Sequence, residues 1–238
     1  MIKIIIRGRN CEKYLIECLN SIRVNAFDEW QAYIILDNPE DRSAILVKAF
    51  LKLDSRFNLQ VNKKQYGVAA NIWKGIKFAN PKPEDIIAIV DADDTIRSKS
   101  LGLINDKYLN NSSLLLTHGS FYRMDKKRST KTSRAYSPNK PVRKQSWRAS
   151  HLKTFKFKLF QHFQKEWLKD ANGNWLQAAS DVALMMPLIE LAGFDRIKFV
   201  KQITYEWRMT SQKTRGHVQK RNKDYVMKQK PLKRLGKV

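Results

Sequence analysis

Three carboxylates stand within four positions of this 238-residue chain, Asp91, Asp93 and Asp94, directly after the apolar run Ile86-Ile87-Ala88-Ile89-Val90. Carboxylates this close repel one another and hold their protons more tightly unless a cation sits among them. Hard divalent ions such as Mg²⁺ or Mn²⁺ suit such a cluster. They take one or two carboxylates and complete their shell with water and phosphate oxygens. The apolar run is mostly β-branched and is bounded by Pro83 and by the acids, which predicts a strand buried on both faces of a sheet. The acids then fall at its carboxyl end, where open α/β sheets bind their ligands. Solvated turn acids are the bland alternative, and so apolar a strand argues against it.

The elements that must position this cluster follow from periodicity. Lys3 to Arg7 predicts a first strand, and Gly8-Arg9-Asn10 the turn leaving it, with Asn10 able to cap the next helix. Cys11, Leu15, Cys18, Leu19 and Ile22 repeat at helical spacing. Tyr33 to Leu36 predicts a strand ending at Asp37, Ala44 to Leu53 a helix, and Asn58 to Asn62 a third strand. Gly67 opens a helix from Val68 to Phe78, broken by Asn80-Pro81-Lys82-Pro83 ahead of the acid-bearing strand. The order βαβαβαβ predicts a largely parallel sheet covered by helices. Further on, the pattern predicts a helix over Leu101 to Leu109 and a strand over Ser113 to Thr117. An extended basic loop is expected from Phe121 to Trp147, and an aromatic-rich helix over Thr154 to Leu168. A helix begins near Asp181 and ends at Gly193, a strand covers Lys198 to Trp207, and a basic helix or arm starts at Gln219.

The bulk numbers bound the class. Hydrophobic residues make up 42% of the chain, enough for one sizeable α/β domain. No apolar run reaches the roughly 18 residues of a membrane span, and the N-terminus lacks a signal-peptide pattern, so a cytoplasmic location is expected. Cys11 and Cys18 would lie about 10 Å apart along one helix face, too far for a disulfide, and read as small core residues. Charge is the outlying property: 46 Lys and Arg against 22 Asp and Glu give a net charge of +24. Gly119 to Lys158 holds 13 basic residues and one acid, Asp125, while Arg196 to Val238 holds 14 basic residues against Glu206 and Asp224. Such an excess predicts a polyanionic partner, nucleic acid or an anionic membrane surface.

Four stretches in this order resemble the GT-A glycosyltransferases of family 2, over roughly Ile2 to Trp207. The opening Ile4-Ile-Ile-Arg-Gly-Arg-Asn10 is similar to that family's nucleotide-binding turn, with Arg7 where a Pro or Thr is usual. Asp37 stands where those enzymes hold the nucleoside, although Asn38-Pro39-Glu40 departs from their common sequel. Gly67-Val-Ala-Ala-Asn71 and Asp91-Ala-Asp93-Asp94 resemble the stretches before and at the metal motif. The resemblance implies an α/β GT-A fold and transfer of a sugar from a nucleoside diphosphate donor, a UDP-glucose-like one, by an inverting displacement. It implies Asn10, Asp37, Asn71 and Asp91 as donor contacts. Asp93, with Asp91 or His217, would hold Mn²⁺ or Mg²⁺. Asp181 would be the general base, although Ser180 stands where Glu is usual and an Asp at a helix start has a rival reading as a cap. His217 has a rival reading as an exposed tail residue.

Along this plan residues 1–118 form the nucleotide-sugar half, 119–207 the acceptor side with its basic loop, and 208–238 a basic arm. The acceptor-side candidates are Arg123, Trp147, Arg148, His151, Lys153 and Arg215. A basic, aromatic acceptor side predicts a hydroxyl carried on DNA, a 5-hydroxymethylpyrimidine such as 5-hydroxymethylcytosine, as some phage enzymes use. Two rivals remain open: a surface-polysaccharide or lipopolysaccharide transferase whose basic arm rests on anionic lipid, and a non-catalytic nucleic-acid-binding protein on the same scaffold. The donor sugar and the oligomeric state are not encoded in any of these patterns.

Overall fold

The computed structural model describes residues 1–130, 133–210 and 216–236. Its first half alternates as the sequence predicts: β1 (Ile2–Gly8), α1 (Glu12–Arg23), β2 (Trp30–Leu36), α2 (Ser43–Phe50), β3 (Phe57–Val61), α3 (Val68–Ala79) and β4 (Ile86–Asp91). The four strands lie side by side as β3-β2-β1-β4, and every pairing among them is parallel. Period-two alternation sorts the side chains between two cores. Ile2, Ile4 and Ile6 of β1 and Ile86, Ala88 and Val90 of β4 pack with Leu15, Leu19 and Ile22 of α1 on one face. Ile5, Ile87 and Ile89 pack with Ile72 and Ile76 of α3 on the other. Gly75 permits this second layer to close, since a Cβ there would stand 2.4 Å from Ile5 Cγ2. Both cysteines are free and buried.

The second half completes the same sheet with β5 (Thr95–Ile96), α4 (Ser100–Leu109), β6 (Leu116–Arg123), β7 (Arg128–Ser129), β8 (Ser150–Lys156), α5 (Phe157–Phe160), α6 (Ser180–Ala192), β9 (Ile197–Trp207) and α7 (Gly216–Lys228). The nine-stranded sheet runs β3-β2-β1-β4-β8-β6-β9-β5, with β7 on β6. Here it is mixed: β8 is antiparallel to both β4 and β6, while β6 and β9 are parallel.

The helix expected over Thr154 to Leu168 is therefore corrected to a strand, a one-turn helix and a 3-10 turn over Lys165–Leu168. A neighbour on the sheet and one on α4 override the local pattern. Thr154 Oγ1 meets Tyr108 Oη at 2.9 Å and Thr117 Oγ1 at 2.6 Å, and Phe155 is fully buried. The aromatics that mimic a helical stripe instead stack at the exit from the strand, Phe155 on Phe160 and Phe160 on Phe163. The strand expected over Ser113 to Thr117 begins at Leu116 and runs on to Arg123, six residues past its expected end and three into the predicted loop. Within the basic loop, residues 137–145 are pinned by Gln145, which takes the Ser137 N–H and donates to the Ser137 and Lys140 carbonyls.

The C-terminal segment packs on the body. Val226 is buried, Asn222 Nδ2 donates to the Ala178 carbonyl, and the Arg196 guanidinium donates to the carbonyls of Leu235 and Gly236. No helix among the described residues is long and apolar enough to cross a membrane.

Candidate active site

The parallel strands deliver their carboxyl ends to one edge of the sheet, and the loops there close round a cleft of about 1030 Å³. β1 enters it through Gly8, where a Cβ would collide with Ala92 and Cys11, so only glycine lets the two strand exits approach. β2 delivers Asp37, which is buried, and its carboxylate accepts from the backbone N–H groups of Tyr66 (3.0 Å) and Gly67 (2.8 Å) and from Asn62 Nδ2 (2.9 Å). Asn62 Nδ2 also reaches Asn71 Oδ1 at 2.7 Å. Asp37 thus fixes the loop that opens α3, and Gly67, at φ +91, supplies the left-handed turn at its start. Asn10, also left-handed, accepts the Glu40 N–H at 2.8 Å and holds the β1 exit beside the β2 exit.

The three acids at the end of β4 offer carboxylate oxygens that all lie within 4.8 Å of one another, yet they are not equivalent. Asp94 is fully buried and accepts from Tyr205 Oη and the Arg208 N–H, both at 2.8 Å. It anchors the end of β9. Asp91 and Asp93 stay partly exposed on the cleft. Asp91 pairs with Arg7 Nε at 2.8 Å, and Asp93 accepts from the Thr210 hydroxyl at 3.0 Å. The chemistry of this set fits a hard divalent ion: oxygen ligands, two of them open to the cleft, and a third carboxylate reinforcing the negative field behind them.

β8 forms the floor. Lys153 is 1% exposed, its ammonium 3.0 Å from His151 Nδ1, and the His151 ring stacks on Tyr205 at 4.3 Å. Burial pushes the Lys153 ammonium down to about 8, while the carboxylates of Asp181 and Asp91 oppose the shift. Across the cleft, α6 begins at Ser180, with Asp181 in its first turn; neither side chain caps the helix. Ser180 Oγ accepts from Arg7 Nη1 at 2.8 Å.

Eight residues singled out from the sequence line this one cleft: Asn10, Asp37, Asn71, Asp91, Asp93, His151, Lys153 and Asp181. Four stand apart from it. Arg123 pairs with Asp125 and lies over the Trp207 ring at the rim. Trp147 packs against the core, and Arg148 donates to the Ala135 carbonyl at 2.7 Å. His217 is exposed at the start of α7, outside the three-aspartate group, while its neighbours Val218 and Gln219 reach the cleft. Arg215 lies outside the described residues. Sequence reasoning missed Arg7 as a cleft residue, together with Ser180, Thr210 and Trp207. The last two arrive from more than a hundred positions away, with no local signal to mark them.

The family described as Glycosyl transferase family 2 matches residues 3–170. The chain is 30% identical over 95 residues to the putative glycosyltransferase EpsH of Bacillus subtilis (strain 168), a match covering 40% of this chain and 26% of that relative's length. Among solved structures, S. aureus TarS 1-349 in complex with UDP-GlcNAc superposes with a TM-score of 0.67 at 14% identity, covering 91% of this chain and 60% of that one. The mannosyltransferase PcManGT from Pyrobaculum calidifontis, in complex with GDP-Man and Mn²⁺, gives 0.61 at 14% identity over 89% of this chain and 57% of that one. At these identities the structural likeness concerns the fold, which is that of the GT-A enzymes.

Proposed function

We propose that this chain, which belongs to glycosyl transferase family 2, moves a sugar from a UDP-sugar-like nucleoside diphosphate to a hydroxyl carried on a polyanion, with inversion. The observation that carries the reading is a single cleft with Asp37, Asn71, Asp91 and Asp93 on one side and Asp181 on the other. Asp37 and Asn71 orient the nucleoside. Asp93 and Asp91 would hold Mn²⁺ or Mg²⁺. The ion, when bound, neutralises charge developing on the leaving diphosphate. Asp181 takes the proton of the acceptor hydroxyl as its oxygen attacks the anomeric carbon from the face opposite the leaving group. The ligands named for the structural neighbours, UDP-GlcNAc and GDP-Man with Mn²⁺, support a donor of this class.

The net charge of +24 supports the acceptor half of the reading. α7 sends Val218 and Gln219 to the cleft while Lys220 and Arg221 beside them are exposed, so cationic side chains flank the opening. The first acceptor to test is a 5-hydroxymethylpyrimidine in DNA, which a duplex would have to present flipped out of its stack. A basic arm lying on lipid is the less supported reading, because the apolar residues of this segment, Val226, Leu232 and Leu235, are turned toward the body.

The test is incubation with labelled UDP-glucose or UDP-GlcNAc, Mn²⁺ and duplexes with or without hydroxymethylated pyrimidines. Label entering only the hydroxymethylated duplex, and lost in Asp181→Asn, is the expected result. Label entering anionic polysaccharide or a vesicle-bound acceptor instead would sink the DNA reading and keep the transferase. DNA binding that does not weaken between 50 and 200 mM salt would remove the basic surface from acceptor binding.

A further inference from the structure

Arg7 sits next to last in β1, and its side chain is 10% exposed, so this guanidinium is nearly withdrawn from water. Three separate elements meet on it. Nε lies 2.8 Å from Asp91 Oδ1 in the acid motif. Nη1 donates to Ser180 Oγ at 2.8 Å, across 173 positions of chain, and also faces the Val68 carbonyl at 3.4 Å. Nη2 has no protein partner among the described residues and is not sealed from solvent, and Arg7 lines the cleft. Nε meets Asp91 as a close ion pair without hydrogen-bond alignment, so that charge contact and the Nη1 bond to Ser180 together orient the rigid planar fork.

We propose that Arg7 is the residue that positions the transferred sugar. The inference rests on the glycosyl-transfer reading and deepens it. In that reading the acid motif faces the donor's diphosphate and α6 carries the base. Whatever is bound between Asp91 and Ser180 is the sugar whose anomeric carbon lies between leaving group and acceptor. Arg7 ties those two walls together and directs Nη2–H at a sugar hydroxyl or ring oxygen. Its charge is balanced by Asp91, which suits a neutral sugar oxygen better than a carboxylate. The bridge also fixes how far the first turn of α6, and so Asp181, stands from the acid motif. Displacement of about 1 Å at such a position costs on the order of a hundredfold in rate.

The experiment measures, for wild type, Arg7→Lys, Arg7→Met and Ser180→Ala, the melting temperature, the calorimetric affinities for UDP and for UDP-glucose or UDP-GlcNAc, and kcat and KM for transfer. Expected for both Arg7 variants is UDP affinity within about threefold of wild type, loss of the extra affinity that the sugar confers, and kcat reduced about a hundredfold. Ser180→Ala, which removes only the Nη1 contact, should lower kcat about tenfold with an unchanged melting temperature. Equal weakening of UDP and UDP-sugar in Arg7→Lys would make Arg7 a diphosphate or purely structural residue and overturn the proposal, as would an unchanged kcat. Should Arg7→Met fail to fold, Arg7→Lys and Ser180→Ala decide alone. A wild type that binds no nucleoside diphosphate sugar would refute the transferase reading itself, a separate outcome.

Discussion

Asp93 and Asp94 are adjacent acids in one motif, and the structure assigns them different kinds of work. Asp94 has no exposed surface, and both its oxygens are used, by Tyr205 Oη and by the Arg208 N–H, each at 2.8 Å. Asp94→Ala leaves the buried Tyr205 hydroxyl and the part-buried Arg208 N–H without their acceptor, at about 1–3 kcal/mol each, or about 4 kcal/mol together. That is a large share of a typical stability of about 5–15 kcal/mol. For a chain of this size it should lower the melting temperature by about 8–16 °C. Tyr205 also accepts the Asp91 N–H at 3.1 Å and carries the stacked His151 ring, so its release would loosen the cleft floor as well. Asp93→Ala removes a partly exposed carboxylate that accepts from the Thr210 hydroxyl, itself partly exposed. It should cost less than about 1 kcal/mol. Thermal melts in EDTA, which keep a bound ion out of the comparison, separate the two. Mn²⁺ titration of both folded variants then assigns the ligand: Asp93→Ala should lose Mn²⁺ binding, and Asp94→Asn, which keeps one acceptor, should retain it. Equal melting temperatures for the two alanine variants, or intact Mn²⁺ binding in Asp93→Ala, would refute this division of labour.

Burial holds His118 down at about 4 from an ordinary 6.5. Between those values the unfolded chain binds the proton and the folded chain does not, so stability is full above pH 6.5 and falls by about 3 kcal/mol as the pH drops to 4. Denaturant melts of His118→Phe should show a shallower acid loss than wild type across that window. Arg143 and Glu190 form a buried pair, Nε to Oε1 at 2.6 Å, with side chains 9% and 5% exposed. Arg143→Met should cost about 3–5 kcal/mol by stranding the carboxylate, and Arg143→Met with Glu190→Leu should recover most of it in urea unfolding. Asn62→Ala removes the amide that joins Asp37 to Asn71 and should weaken UDP binding about tenfold by calorimetry, with a stability loss of about 2 kcal/mol. UDP affinity unchanged in that variant would take the amide network out of donor binding.

How much of this was legible in the sequence depended on how local each cause was. The strand entering Asp91 is specified by six consecutive residues, and the β-branched run could hardly lie anywhere except between β1 and another strand. Asp37 and Asn71 were visible through the resemblance, because Asp37 follows a strand and Asn71 closes a Gly-x-x-x-Asn stretch, both short local patterns. The region 154–168 was illegible for a physical reason: helical spacing of aromatics is satisfied by any chain segment that stacks them, and the competing information lay in Tyr108, Thr117 and β4. That misreading had a consequence. As a helix, the segment would have left Lys153 between the basic loop and its own start, as an acceptor-side cation. As β8, paired with Ile89 of β4, Lys153 becomes a buried ammonium beneath the acid motif. Arg7 changes in the same way. Read in sequence it is an irregular residue in a nucleotide-binding turn; in the fold its neighbours at 91 and 180 turn it into the bridge across the cleft. Residues of this kind are invisible to a linear reading because what defines them is the pairing of distant elements. Two buried cations beside three acids also alter the electrostatics of the motif itself. The site begins partly neutralised, by Arg7 at 2.8 Å from Asp91 and by Lys153 beneath it.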